Sequence, residues 1–331
     1  AAWVRGDGRG GTETISTGRS LRERSWYFVA ASYDSESGEV RVIQEPLVPR
    51  ALDDSGAAIS RRAGVRPRPE PGTPFMIAAH AAGRRNGKLT AGGFYNGKIE
   101  APRLANRPLA RDEMEAVRYG LPARLAGAIV GAWDFSREIP SDRIVDLSEN
   151  RLHGTAINLP TRGMTGSLWT GEAMSWRERP EHYGAIHFHD DDLYDAGWDA
   201  DLRVPIPDGM RSGVYAVRLR CGQAGEDYVP FFVLPPRGTA TAPVAFLAST
   251  ATYMAYANSH HGWDDPLSEV CYGRLLELGP TEMFLNDRRD FGMSTYDLHS
   301  DGSGVCYSSR LRPILNARPK RALWNFNADL H

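Results

Sequence analysis

Hydrophobic and polar residues alternate in short runs along the first half of the chain, which is the pattern of half-buried β-strands. One run covers residues 26–34, and a polar turn at 35–38 leads into a second run at 39–43. Two such runs joined by a short turn predict a β-hairpin. Residues 75–79 predict another strand, and residues 92–100 carry an Asn-Gly signal for a second hairpin. Regularly spaced short strands with polar turns indicate a β-sandwich.

Residues 1–162 are predicted to form this first sandwich, which is expected to be incomplete at its N-terminal end. The stretches 94–100 and 107–114 resemble the closing strands of laminin-G or concanavalin-like β-sandwiches. In those folds a short helix caps the sandwich, and here it is expected around residues 112–119. Some of these sandwiches bind sugars and others mediate assembly, so the resemblance predicts a fold and not a ligand.

Residues 163–236 predict a second, smaller β unit. Alternating runs cover residues 184–189, 213–220 and 228–234. The phrase Ser-Gly-Val-Tyr-Ala-Val at positions 212–217 is typical of the late strands of an immunoglobulin-like β-sandwich. The chain is therefore predicted to be multidomain and mainly β.

The last part, residues 237–331, changes to an α/β pattern that resembles the first part of a glutamine-amidotransferase-like domain. The apolar run 243–248 predicts a short buried strand, because small polar residues bound it and it is too short for a helix. Residues 266–278 predict a helix with its apolar residues broadly on one face. The sequence pattern at 324–331 predicts the start of a new element, so we expect this domain to be truncated at its C-terminal end.

Composition argues against several classes of partner. Hydrophobic residues make up 41% of the chain and the net charge is −2, as in soluble globular proteins, so nucleic acid is not expected as a partner. No run of about 18 apolar residues predicts a membrane span, and without a secretory signal pattern the default expectation is a cytoplasmic location. Cys221, Cys271 and Cys306 lack the spacing of a disulfide framework or a zinc site.

Two tyrosine-bearing segments carry the strongest functional signal. Thr252 begins the pattern Thr-Tyr-x-Ala-Tyr-x-Asn, Tyr296 begins Tyr-Asp-x-His-x-Asp-Gly-Ser-Gly, and Ser309 begins Ser-Arg-Leu-Arg-Pro. A single tyrosine after a strand is more often a half-buried packing residue than a ligand. The three patterns together resemble the large (beta) subunit of N,N-dimethylformamidase.

This resemblance implies an iron-dependent amidohydrolase that splits N,N-dimethylformamide or a similar small formamide into formate and an amine. The family binds one iron through two tyrosines and a glutamate. Tyr296 matches one ligand, and Tyr256 is preferred to Tyr253 for the other, with His299 and Asp301 expected beside the ligands. The glutamate is expected in a His-Pro-Glu segment, which does not occur in this sequence, so we expect it beyond the C-terminal end.

Tyrosine side chains that have lost their hydroxyl proton are suitable ligands for ferric iron. A free tyrosine has a pKa of about 10, so ionising it at pH 7 costs roughly 4 kcal/mol unless a cation lies beside it. Tyrosinate is a hard oxygen donor of the kind that holds haem iron in catalase. The resemblance also implies a small partner subunit and oligomerisation of the large subunit.

Other residues offer weaker candidates. His187 and His189, followed by acidic residues at 190–192, could hold a metal, although a solvated acidic turn at a strand end explains the same pattern. His260 and His261 could line the tyrosine pocket, or this segment could simply lead to a helix.

The next segment of the chain has two interpretations as well. Trp263 could form part of an apolar wall for the N-methyl groups, together with Phe291 and Met293. Asp264 or Asp265 would more simply cap the helix predicted at 266–278, and this interpretation is preferred.

Two further classes of function remain open on the sequence alone. The chain could be a carbohydrate- or protein-binding module of several sandwiches, with an incidental α/β segment. It could also be a metal-free enzyme with a cysteine nucleophile. That route is the weaker one, because Cys306 lacks the second glycine of a nucleophile elbow and Cys271 lies in a predicted helix.

Overall fold

The computed structural model describes residues 1–6, 12–64, 66–67, 71–85, 88–260 and 280–317. Within them the protein is mainly β, with sixteen strands and three α-helices. The prediction of a β-rich fold is confirmed at this level.

The described residues form two compact units. The first contains Ala1–Ala156 and Arg162–Phe188, and the second contains Ile157–Thr161 and His189–His331. The division into domains at residues 162 and 236 stays a prediction.

The first unit is built from antiparallel ribbons and small sheets, which involve strands β1 to β14. The sheets are β1 (Ala2–Gly6) with β2 (Thr12–Ser16); β3 (Tyr27–Tyr33), β4 (Glu39–Pro46) and β5 (Ala57–Arg62); β6 (His80–Arg85) with β7 (Lys88–Gly92); β12 (Gly154–Thr155), β11 (Arg143–Asp146), β10 (Ile129–Asp134) and β9 (Arg103–Ala105); and β13 (Thr161–Met164), β14 (Ala185–Phe188) and β8 (Gly97–Glu100).

The cap helix α1 (Arg111–Tyr119) and the hairpin of β3 and β4 lie where the sequence predicts them. The turn between the strands is closed by the Asp34 carboxylate, which accepts from the Glu36 N–H at 2.9 Å. Helix α1 buries Met114 and Val117 in a cluster with Ile43 of β4 and Ile129 of β10. The helix therefore covers apolar residues contributed by two different sheets.

Two local strand predictions in the first unit are wrong. Residues 75–79 are not a strand, and β6 begins only at His80. The Asn-Gly signal does not make a hairpin, because β8, which starts at Gly97, pairs with the distant strand β14, with Ile99 opposite Ile186. A long-range pairing has replaced the local turn that the dipeptide favours.

The second unit contains one long ribbon and two short helices among its described residues. These elements are β15 (Gly213–Arg220), β16 (Glu226–Val233), α2 (Thr250–Tyr256) and α3 (Pro280–Asn286). Strands β15 and β16 pair in antiparallel register along their whole length, as the alternating pattern predicts.

The predicted buried strand at 243–248 is wrong. This segment is neither helix nor strand, and Val244, Phe246 and Leu247 are 82%, 76% and 91% exposed. Apolar composition alone does not bury a segment when no neighbouring strand or helix covers it. The helix predicted at 266–278 and the element predicted at 324–331 lie outside the described residues.

The helices in the described part of the chain are all too short or too polar to cross a membrane. The cytoplasmic location stays a prediction.

One stability prediction concerns the start of α1. The pKa of Glu113 is lowered to about 2, first by the hydrogen bonds from Arg107 and then by the N–H of Ala110, which donates at 2.9 Å. Because the pKa of Glu113 is lowered in the folded protein, its carboxylate stabilises the folded state at pH values above the ordinary pKa of 4.5. This stabilisation is lost as the pH falls towards 2.

We therefore expect Glu113→Gln to lower the free energy of unfolding near pH 7, with a difference from wild type that shrinks between about pH 5 and pH 2. Urea titrations at several pH values measure this. Glu149→Gln, at an exposed position of the same unit, is the control. A difference that stays constant with pH would contradict the assignment.

Candidate functional site

A buried arginine in the second unit fastens the end of α2 to two other segments. The guanidinium of Arg312 donates to the carbonyls of Met254 and Ala257 at the end of α2, at 3.1 and 2.9 Å. It also donates to the carbonyl of Gly292 at 3.1 Å and to that of Ser309 at 2.8 Å. Because the last carbonyls of a helix have no partner inside it, the arginine satisfies groups that burial would otherwise leave unpaired.

Burial lowers the pKa of Arg312 to about 10, and the negative charge of Asp297 partly opposes this shift. The side chain still carries its charge at neutral pH. A cation close to the C-terminal end of a helix also interacts favourably with the helix dipole.

Asn258 makes the sharp turn that follows α2. Its φ of 57° lies in the left-handed region, which asparagine tolerates better than most residues. The side chain is fully buried, and its amide nitrogen donates to the carbonyl of Pro313 at 2.8 Å. The amide oxygen accepts from the N–H of Leu315 at 3.0 Å, and the Asn258 N–H donates to Asn316 Oδ1 at 2.9 Å. One side chain therefore joins α2 to residues 313–316.

The turn that carries Tyr296 is attached to the same end of α2. The Ser294 hydroxyl donates to the carbonyl of Ala255 at 2.6 Å and accepts from the N–H of Tyr296 at 3.0 Å. The buried carboxylate of Asp297 accepts from the N–H groups of Ser294 at 3.0 Å and His260 at 2.7 Å. These bonds fix the backbone on both sides of Tyr296.

The result is that Tyr256 and Tyr296, which are 40 positions apart in the sequence, stack face to face. Their ring centroids are 4.0 Å apart and the ring planes differ by 13°. Tyr256 is half-buried and Tyr296 is 47% exposed, so the pair lies at the surface of the unit. Tyr253 lies about one turn earlier on α2.

The phenol of Tyr256 resists ionisation. The pKa of Tyr256 is raised, first because its hydroxyl is hydrogen-bonded to that of Tyr296, then by burial and by the charge that Tyr296 would carry. Two stacked phenols could bind one cation together through their oxygens. Such a cation would have to displace the protons of both phenols.

The other predicted site residues are divided between the site and its surroundings. His260 contacts the Asp297 carboxylate at 3.0 Å, and Phe291 and Met293 are buried. His261, Trp263, Asp264 and Asp265 lie outside the described residues, as does Cys271.

A small cavity of about 10 Å³ adjoins Met293, Asp191 and Arg312. It has room for about one water molecule and cannot be the pocket for an organic substrate.

His299, which the sequence analysis places beside the ligands, belongs to a separate cluster with His189. Their imidazole rings stack with centroids 3.6 Å apart and planes 4° apart, and both side chains are buried. His299 Nδ1 contacts Asp191 Oδ1 at 2.6 Å, and His189 Nδ1 contacts Asp192 Oδ1 at 3.1 Å. Burial alone would raise the pKa of Asp191, yet the hydrogen bond and charge of His299 keep this pKa below its usual value.

His189, Asp192 and His299 are a group that could hold a metal ion, since one ligand atom from each lies within 4.8 Å of the others. Imidazole binds metals in the plane of its ring, and two parallel planes 3.6 Å apart do not meet at one ion. Binding there would require one ring to turn and break its contact with an aspartate. His187, the other histidine of the predicted cluster, belongs to the first unit.

A chain of contacts like that of a Ser-His-Asp triad joins Ser303, His189 and Asp192. His189 Nε2 is 2.9 Å from Ser303 Oγ, but Ser303 donates its proton to Asp301 Oδ1 at 2.6 Å. The hydroxyl has a single proton, so Asp301 competes with His189 for it, whereas in a triad the imidazole must accept that proton as the general base. Cys306 is exposed and its thiol faces the carbonyl of Gly304 rather than an imidazole.

Sequence reasoning missed the residues that hold the site together. Arg312 and Asn258 both lie inside the quoted patterns, and Asp191 lies in the acidic run, but all three act through contacts with residues more than 30 positions away. Their positions in the patterns were the available signal. The spacing of residues along the sequence does not identify the distant residues that these three side chains contact.

Comparison with known proteins agrees with the tyrosine patterns. A family model described as N,N-dimethylformamidase beta subunit-like, C-terminal, matches residues 161–330. The chain is similar to the N,N-dimethylformamidase beta subunits of an Alcaligenes species and of Paracoccus aminophilus, each 37% identical over 345 residues. Each match covers 98% of this chain and 45% of the relative, so the chain spans less than half the length of these curated relatives.

We predict that Arg312→Met lowers the free energy of unfolding by about 3 kcal/mol or more, because several buried carbonyls lose their donor at about 1–3 kcal/mol each. Urea denaturation measures the loss. The control is Arg310→Met, at an exposed position nearby. A loss no larger than about 1 kcal/mol, the value of one ordinary hydrogen bond, would contradict the role given to Arg312.

Proposed function

Because the chain belongs to the family of N,N-dimethylformamidase beta subunits, we propose that it is part of an iron-dependent amidohydrolase. The substrate is N,N-dimethylformamide or a similar small N-substituted formamide, and the products are formate and an amine. The observation that most supports this proposal is the stacked pair of Tyr256 and Tyr296, whose ring centroids lie 4.0 Å apart at the surface of the second unit.

The donor set fits a strongly charged, oxygen-seeking cation. Two phenol oxygens lie together, and the raised pKa of Tyr256 means that only a cation that attracts phenolate strongly can bind both as anions. Ferric iron has this property, whereas zinc more commonly takes histidine, cysteine or carboxylate. A glutamate from outside the described residues is proposed as the third ligand.

Hydrolysis of the formamide adds one water and breaks the bond between the formyl carbon and nitrogen. Bound iron supplies Lewis acidity, which polarises the formyl oxygen and lowers the pKa of water enough to make hydroxide available. The chain itself contributes Tyr256 and Tyr296, which give up their hydroxyl protons and hold the cation. Asp297 and Ser294 keep Tyr296 in place through its backbone, and His299 supports the same loop.

The proposal extends to assembly and domain structure. The relatives are named beta subunits, which supports a partner subunit in the complete enzyme, and oligomerisation of the large subunit is proposed with it. The laminin-G-like and immunoglobulin-like sandwiches and the glutamine-amidotransferase-like domain are retained as proposals for the β-rich chain. In this setting the sandwiches have a structural role.

Tyr296→Phe and Tyr256→Phe should each remove most of the iron from the purified holoenzyme, because each deletes one ligand oxygen and leaves the ring in place. Metal analysis and the visible charge-transfer absorption of ferric tyrosinate measure this. Tyr253→Phe is the matched control and should keep both iron and colour.

An iron content equal to that of wild type in the Tyr296→Phe variant would contradict the assignment of Tyr296 as an iron ligand. Loss of iron in the Tyr253 variant, with iron retained in the Tyr256 variant, would move the second ligand to Tyr253.

The two rival functions give different results in simple assays. A binding module would retain a glycan or protein in a binding screen and would contain no iron. A cysteine-dependent enzyme would lose activity when its thiols are alkylated, whereas the iron enzyme should keep it. Release of formate and dimethylamine from dimethylformamide by the assembled enzyme tests the activity directly.

A further inference from the structure

The loop that begins with Tyr296 is held at two places. Its first part, residues 294–297, is attached to the end of α2. The part after Tyr296 folds back on itself, with the N–H of His299 donating to the carbonyl of Ser303 at 2.8 Å and that of Val305 to the carbonyl of Asp297 at 3.1 Å. This second part has its own attachment, to a segment more than 100 positions earlier in the sequence.

Asp191 makes the central contact of that attachment. Its Oδ1 receives a hydrogen bond from His299 Nδ1 at 2.6 Å, and its Oδ2 accepts from the N–H of Ser300 at 2.9 Å. Both carboxylate oxygens are thus used on two successive residues of the loop. The side chain is 10% exposed, so these bonds are shielded from water and strengthened accordingly.

The neighbours of Asp191 contact the same loop. Asp190 accepts from the Ser300 hydroxyl at 2.5 Å. The His189 ring lies on the His299 ring and contacts Ser303 Oγ at 2.9 Å, while Asp192 fixes the orientation of that His189 ring. Residues 189–192 therefore form one clasp, which we call the acidic clasp, around residues 299–303.

We propose that Asp191, through the acidic clasp, is a positioning residue for Tyr296, and this inference rests on the proposed function of the tyrosine pair. The loop has a firm attachment before Tyr296 and another after it, with only two residues between Tyr296 and His299. Without the second attachment only the bonds of Ser294 and Asp297 hold the backbone around Tyr296, and residues 299–300 lose the contacts that fix them against Asp191. Partners behind metal ligands commonly change metal affinity by about 10–100-fold when they are mutated.

Asp191→Asn tests the proposal, because the amide keeps the shape of the side chain but cannot accept at both positions. We expect the iron affinity of the purified holoenzyme, measured by competition with a chelator, to be about 10-fold lower than that of wild type. The ferric tyrosinate absorption should also shift. Asp208→Asn, at an exposed position of the same unit, is the control and should match wild type.

A crystal structure of the metal-free Asp191→Asn protein supplies a readout that does not depend on iron. The Tyr296 ring should move away from its stacked position, 4.0 Å from Tyr256. An unchanged ring pair together with unchanged iron affinity would overturn the proposal, even if the melting temperature falls. If wild type and Asp208→Asn contain no iron, the proposed function fails, and the ring position alone still decides the role of Asp191.

If Asp191→Asn fails to fold, Asp190→Asn provides the second variant. It removes the negative charge that faces the Ser300 hydroxyl and leaves both Asp191 contacts in place, so the expected displacement and loss of iron affinity are in the same direction and smaller. Iron affinity and ring position identical to wild type in that folded variant would count against the clasp.

Discussion

The buried guanidinium of Arg312 is the interaction on which the tyrosine site depends. It gathers five oxygens from the end of α2, from Gly292 and from the turn at 308–309. Arginine is suited to this task because its planar group carries five donors and stays charged. A lysine has only three donors and could not reach all of these acceptors. This side chain joins the end of α2, which carries Tyr256, to Gly292 and to residues 308–309, while Ser294 and Asp297 attach the turn that carries Tyr296.

The surroundings of the site are polar to an unusual degree for a buried region. Buried polar residues outnumber buried apolar ones among the described residues from 189 onwards, and they include Asn258, Ser294, Asp297, His299 and Asn316. Hydrogen bonds are directional, so a satisfied polar network specifies one arrangement more strictly than apolar contacts do. The proposed pair of tyrosine ligands would need that strictness, because small displacements of a ligand weaken binding.

The sequence predicted the elements that depend on local pattern. The hairpin at 26–43, the cap helix and the ribbon of β15 and β16 follow from alternation and turn chemistry, which involve near neighbours. The failures at 92–100 and 243–248 have the opposite cause. Whether an apolar or turn-prone segment becomes a strand depends on a partner elsewhere in the chain, and β14 supplies that partner to β8 while nothing comparable covers Val244 to Leu247 among the described residues.

The candidate site divides in the same way. The motif identified Tyr256 and Tyr296 as residues of interest, and the structure brings their rings together. Asp191 and Arg312 could not be given roles from sequence, because their partners lie across long intervals of chain. The acidic run at 190–192 was interpreted as a solvated turn, but Asp191 is instead largely buried and contacts His299.

The raised pKa of Tyr256 beside Tyr296 has a consequence for the metal selectivity of the proposed site. An ion that binds both oxygens must expel two protons, so its uptake is an exchange of one cation for two hydrogen ions and becomes easier as the solution becomes more alkaline. Weak Lewis acids such as magnesium or calcium gain too little from phenolate to drive that exchange near neutrality. Under the proposed function, the tyrosine pair would therefore select those metals that compete successfully with protons for phenolate oxygen.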